Sequence, residues 1–158
     1  MIIKYENEVY SKIELVNSVL KSLDIASLEA NKDFTIDEQF HQEHYVKFLL
    51  QKSNCINLEL IFINNALQIN IDRTNESFEW SNNQIQENTE EVKDIIKMLF
   101  TSRIKVEYCG SNYTKLYFYN VSGNCVKTLK YVTGLYLKVG CKTKEYPPIY
   151  TCNISNEY

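Results

Sequence analysis

Between residues 45 and 71 the chain alternates apolar and polar side chains with a period of two, three times in succession. Val46, Phe48 and Leu50 alternate with Tyr45, Lys47 and Leu49. Ile56, Leu58, Leu60 and Phe62 alternate with Asn57, Glu59 and Ile61, and Leu67, Ile69 and Ile71 with Gln68, Asn70 and Asp72. A period of two sends successive side chains to opposite sides of a strand, so each run has one buried and one wetted face. Asn64-Asn65, between the last two runs, suits a tight hairpin because Asn tolerates left-handed backbone angles. The stretch predicts three antiparallel strands, with Phe78 and Trp80 continuing the sheet.

The apolar face of such a sheet must be covered, and helical spacing on either side provides the cover. Ser11-Lys-Ile-Glu14 has the capping-box pattern, and Ile13, Val16, Leu20 and Leu23 follow at helical intervals. This predicts a helix over 7–23, after a short strand at 2–5. Residues 24–43 are mixed and polar, so a loop or a short irregular strand near 34–36 is expected. A second helix starts at Asn88 or Thr89, with Glu90 and Glu91 in its first turn and Val92, Ile95, Ile96 and Leu99 as its stripe. Alternation returns at Ile104, Val106 and Tyr108, then in KLYFYN (115–120), CVKTLKYV (125–132) and LYLKV (135–139), with VSGN (121–124) as a turn. Pro147-Pro148 ends regular structure and leaves 147–158 as an irregular tail. The expected fold is α+β: two helices on antiparallel sheet, in the order helix–three strands–helix–four strands, as one domain over 1–158.

Several classes are excluded or disfavoured. No run reaches 18 apolar residues, so a membrane-spanning helix is not expected. The start, MIIKYENEVY, turns polar after three residues and lacks a signal-peptide core, which makes the cytoplasm the expected compartment. The five cysteines, at 55, 109, 125, 141 and 152, include no CxxC pair. Each reads as an unpaired thiol, with Cys141–Cys152 as the alternative disulfide.

Both histidines fall in FHQEHY, residues 40–45. On a helix, His41 and His44 would share a face and could hold one ion. At the mouth of a strand they diverge, and a solvated strand entry is the reading favoured here. A minor enzyme using either histidine with a carboxylate is a third possibility. Neither GxSxG nor a glycine-rich phosphate loop occurs, and four glycines hardly suffice for one. No cofactor or metal is expected.

Charge is unevenly distributed. Residues 1–96 hold 17 acids and 8 Lys/Arg, whereas residues 97–158 hold 3 acids and 9 Lys/Arg. The most acidic window, 76–94, carries Glu76, Glu79, Glu87, Glu90, Glu91 and Asp94 against Lys93 alone, and encloses Trp80. Acids at a helix start stabilise its dipole, but a field of negative charge also steers a basic partner, and a Trp with an acidic rim can anchor an interface. The C-terminal strands instead interleave Tyr with Lys105, Lys115, Lys127, Lys130, Lys138, Lys142 and Lys144. Nucleic-acid-binding sheets do the same, yet a pI near 5.5 argues against nucleic acid.

A small, acidic α+β chain built from the hairpin LELIFINNALQINID, the capped helix NTEEVKDIIKMLF and the meander KLYFYNVSGNCVKTLKYVTG resembles, in overall style, the immunity proteins of bacterial polymorphic-toxin and contact-dependent growth inhibition systems. The resemblance implies a protein that blocks a cognate toxin by covering it, without turnover. The expected binding residues are Glu76, Glu79, Trp80, Glu87, Glu90, Glu91 and Asp94, and the expected partner is a basic protein toxin. The alternative is a nucleic-acid or small-ligand module using the Lys/Tyr strands.

Overall fold

The computed structural model describes residues 4–74, 77–135 and 139–151. Among them are three helices and nine strands, in the order α1 (Asn7–Ser22), β1 (Phe34–Gln42), β2 (Tyr45–Leu50), β3 (Leu58–Ile63), β4 (Ala66–Ile71), β5 (Phe78–Ser81), α2 (Asn82–Glu87), α3 (Thr89–Thr101), β6 (Arg103–Cys109), β7 (Tyr113–Tyr119), β8 (Cys125–Val132) and β9 (Lys142–Tyr146). The α+β class holds. The expected order does not: five strands, not three, precede the central helical region, and that region is two helices. The chain divides into two compact units, the first being 1–53 with 57–97 and the second 54–56 with 98–158.

In the first unit the strands form one antiparallel sheet in the order β1-β2-β3-β4-β5. The period-two runs become β2, β3 and β4, paired as Val46↔Phe62↔Leu67 and Phe48↔Leu60↔Ile69. All six of these residues are buried. Phe48 and Phe62 meet edge to face, with centroids 5.8 Å apart, and α1 packs over β3. Its stripe of Val9, Ile13, Val16 and Leu20 is completely buried. α1 begins at Asn7 with Glu6 at its N-cap, so Ser11 lies inside the helix and donates to the Glu8 carbonyl. The capping box expected at Ser11–Glu14 is therefore absent there, and the reciprocal box forms at Ser81–Gln84, at the start of α2. Among the described residues of this unit the non-glycine residues with left-handed backbone are Asp24 and Asp72, not the hairpin asparagines. The Asn64 carbonyl instead accepts hydrogen bonds from Lys12 and Asn82.

The second unit is a four-stranded antiparallel sheet, β8-β7-β6-β9. Its apolar face carries Ile104, Val106, Leu116 and Phe118, all buried. Phe100, from the end of α3, packs edge to face on Tyr150 at 6.0 Å, and the Tyr150 N–H donates to the Phe100 carbonyl at 2.8 Å. Residues 147–151 form neither helix nor strand, yet Ile149 and Tyr150 are buried; residues 152–158 lie outside the described residues. So do 136–138, the middle of the expected strand LYLKV. The VSGN turn forms as expected, with Gly123 at φ 85° and its N–H donating to the Asn120 carbonyl.

Cys109 and Cys141 form a disulfide with Cα atoms 4.2 Å apart. This corrects the expectation of free thiols at both positions and the alternative pairing of Cys141 with Cys152. The register explains the choice, because β6 and β9 pair as Tyr108↔Lys142 and the next opposed residues are these two cysteines. The bond closes a loop with a sequence separation of 32. Reduction, or Cys109→Ser with Cys141→Ser, is expected to destabilise the second unit by about 2–4 kcal/mol. Thermal unfolding followed by circular dichroism with and without reductant reads this out, and an unchanged Tm would contradict it.

Candidate interaction surfaces

The acidic window folds into two different settings. Ser81 accepts from the Gln84 N–H at 3.2 Å while its own N–H donates to the Gln84 side chain at 2.8 Å. This fixes the start of α2. Thr89 donates from its hydroxyl to the Ile85 carbonyl at 2.7 Å, which carries the chain across the break at Asn88 into α3. Val92, Ile96, Leu99 and Phe100 are buried, and Glu87, Glu90, Glu91 and Asp94 are all exposed. Spacings of three and four residues place Glu90, Glu91 and Asp94 side by side along one face of α3, and Glu87 ends α2 just before the break at Asn88. Glu90 and Asp94 are like-charge neighbours at i,i+4 on α3, a pair unfavourable by a few tenths of a kcal/mol. Lys93 lies 3.7 Å from Glu90, but an exposed pair of this kind relieves little.

Glu79 and Trp80 are not part of that face, nor do they share one with each other. Adjacent residues on β5 point to opposite sides of the sheet. Glu79 accepts from the Gln68 side chain at 3.1 Å on the wetted side. Trp80 lies opposite Leu67 on the core side, stacked on Phe78 with centroids 5.6 Å apart, half-buried on the edge strand. A tryptophan rimmed by Glu79 is thus not what the strand presents. Glu76 lies outside the described residues.

FHQEHY makes the hairpin between β1 and β2. His41 is paired with Val46, and His44 sits exposed in the turn. His41 Nε2 is hydrogen-bonded to the Tyr5 hydroxyl at 3.0 Å, and the Glu6 N–H donates to the Glu43 carbonyl at 2.9 Å. The histidine thus ties the segment before α1 to the hairpin. Burial, and secondarily Glu29, pushes the Tyr5 phenol above its ordinary range. Among the described residues no three His, Cys, Asp or Glu side chains converge as metal ligands.

The Lys/Tyr strands also separate by face. Pairings Arg103↔Tyr119, Lys105↔Tyr117, Glu107↔Lys115 and Lys115↔Lys130 put Arg103, Lys105, Lys115 and Lys130 on one face with Tyr113, Tyr117 and Tyr119. Lys127, Lys142 and Lys144 fall on the other, and Lys138 is outside the described residues. Lys105 and Lys115 stand 4.7 and 4.9 Å from the Tyr117 ring centre, and Arg103 stands 4.4 Å from that of Tyr119. These rings are already occupied by cations, so the face offers positive charge more than open stacking platforms. Arg103, which also pairs with Glu145 at 2.9 Å, escapes a reading based on lysine alternation alone.

The charge asymmetry of the sequence coincides with the division of the fold. The first unit holds 17 acids against 9 Lys/Arg, a balance of −8, and the second 3 acids against 8 Lys/Arg, a balance of +5. No helix among the described residues is long and apolar enough to cross a membrane. No protein-family model matches this chain, and neither a curated protein nor a solved structure is significantly similar to it.

Proposed function

We propose that the chain is a toxin-neutralising binding protein of the immunity type, which occludes a basic protein partner in the cytoplasm through the acidic α2–α3 face. The observation that carries this reading is the run of exposed carboxylates formed by Glu90, Glu91 and Asp94 on one face of α3 with Glu87 at the end of α2, in a unit of net charge −8. Such a face raises the encounter rate with a cationic surface and fixes its register more than it adds contact energy. Within it Glu87, Glu90, Glu91 and Asp94 act together, while Glu79 and the Phe78–Trp80 pair, on opposite sides of β5, are not part of this contact. The toxin class and the bacterial setting come from the resemblance in style.

The test is charge reversal. Glu87→Lys, Glu90→Lys and Glu91→Lys combined are expected to weaken the captured partner about 10–100-fold, mostly through slower association and with a reduced salt dependence. All three positions are exposed, so the circular-dichroism spectrum and Tm should stay close to wild type. Titration calorimetry giving an unchanged affinity would refute the acidic-face reading. A second reading, polyanion binding, has one specific observation in its favour: Arg103, Lys105, Lys115 and Lys130 share one face of the second unit.

A further inference from the structure

Among the described residues the two sheets have four edge strands of unequal quality. β1 has a register shift in its middle, β5 has four residues and β9 has five. β8 has eight, and its irregularity is confined to its start, opposite the step from Phe118 to Tyr119. It contains no proline, and Val126 and Val132 are 50% and 38% exposed. A terminal strand of this kind is where a further strand can add.

The sequence of β8 says which strand fits. A two-fold antiparallel pairing of β8 with itself keeps the apolar faces of both sheets on the same side only if residues of like parity oppose each other. With Leu129 on the axis, Lys127 lies opposite Tyr131, Thr128 opposite Lys130, and Val126 opposite Val132. No like charges meet, and two exposed valines cover each other. The buried row Val106↔Leu116, which continues into Leu129, then extends into Leu129 of the other copy. Centring on Thr128 is poorer, because it sets Val126 against Lys130 and Lys127 against Leu129. Centring between Thr128 and Leu129 sets Lys127 against Lys130 and mismatches the faces.

We propose that β8 is a homodimerisation edge: two copies of this chain pair antiparallel about a two-fold axis at Leu129, joining their four-stranded sheets into one of eight. The interface is a single strand pair, so the dimer is a weak and reversible one. It involves the second unit alone and does not depend on the acidic-face reading.

Sedimentation velocity of the full chain over a concentration series tests it, and a reversible monomer–dimer equilibrium is expected. Thr128→Glu places a carboxylate opposite Lys130 twice per dimer and should tighten association about tenfold, whereas Thr128→Lys should weaken it about tenfold. In the register centred on Thr128 the glutamate would oppose itself and weaken the dimer instead. In a Cys125→Ser background, Leu129→Cys should cross-link to its own copy on mild oxidation with oxidised glutathione, and Val132→Cys should not. A monomer at every concentration, a dimer indifferent to both Thr128 substitutions, or a dimer that does not cross-link through Leu129→Cys would overturn the assignment.

Discussion

Replacing Phe62 by alanine is expected to lower the stability of the first unit by about 3–5 kcal/mol. Phe62 sits near the C-terminal end of the middle strand, opposite Val46 on one side and Leu67 on the other, and is completely buried. Its ring meets Phe48 edge to face, so the loss includes an aromatic pair as well as apolar area. A cavity there is bounded by two strands on the sheet side, which limits how far the surroundings can relax. Phe40, 39% exposed on β1, is the internal contrast, and Phe40→Ala should cost less than about 1 kcal/mol. The chain has one tryptophan, Trp80, and it lies in the first unit, so its fluorescence during urea unfolding reports on that unit. A midpoint shift for Phe62→Ala no larger than that for Phe40→Ala would contradict the core described above.

The second large effect is expected at Lys12. This lysine is only 3% exposed and points from α1 to the β3–β4 turn, where Nζ donates to the Asn64 carbonyl at 3.1 Å and to Asn82 Oδ1 at 2.6 Å. The Asn82 amide in turn donates to the same carbonyl at 2.8 Å and to Glu8 Oε2 at 3.2 Å. One ammonium thus joins the first helix, the hairpin turn and the start of α2. Lys12→Met keeps the stem and removes the donors, leaving Asn82 Oδ1 without its partner, and should destabilise by about 1–3 kcal/mol at neutral pH. Lys12→Ala adds a void and should cost more. Burial holds the Lys12 ammonium below its ordinary pKa of 10.5, with Glu8 partly opposing the shift. Between the lowered folded value and 10.5 the unfolded chain binds more protons at this residue, so its contribution to stability rises with pH across that window. That rise should vanish in Lys12→Met. Urea midpoints at neutral and mildly alkaline pH measure both effects, and a Lys12→Met protein as stable as wild type would show that desolvation outweighs the network.

The fold was legible wherever burial imposed a period on the sequence. β2, β3 and β4 each have a fully buried face, and their alternation marks them unambiguously. β1 was largely missed because its pairing slips between Ile36 and His41 and most of its side chains are wet. Its alternation is broken where it would have been informative. β9, KTKEY, lies at an edge with almost nothing buried. α2 has six residues and none buried, although Ser81-Asn-Asn-Gln84 is a capping box that could have announced it. The disulfide was hidden for another reason: it joins residues brought opposite by β6–β9 register, and that register depends on a strand with no apolar signature.

The surfaces were legible to the same degree. The helical spacing of Glu90, Glu91 and Asp94 already placed them together, whereas Glu87 belongs to α2, on the other side of the break at Asn88. That Glu79 and Trp80 diverge follows from β5 being a strand. The disulfide bears on the expected compartment, since such bonds are rare in a reducing cytosol, where Cys109 and Cys141 would be held as thiols. The acidic face lies in the other unit and does not involve that bond.

The most direct test of the central claim is affinity capture of the tagged protein from its native cells while a cognate toxin is expressed, at low and high salt, read by mass spectrometry. One basic protein recovered in stoichiometric amount and released by salt is the predicted result. Recovery of no protein partner, with nucleic acid co-eluting instead, would contradict it and assign the binding to the cationic face of β6, β7 and β8.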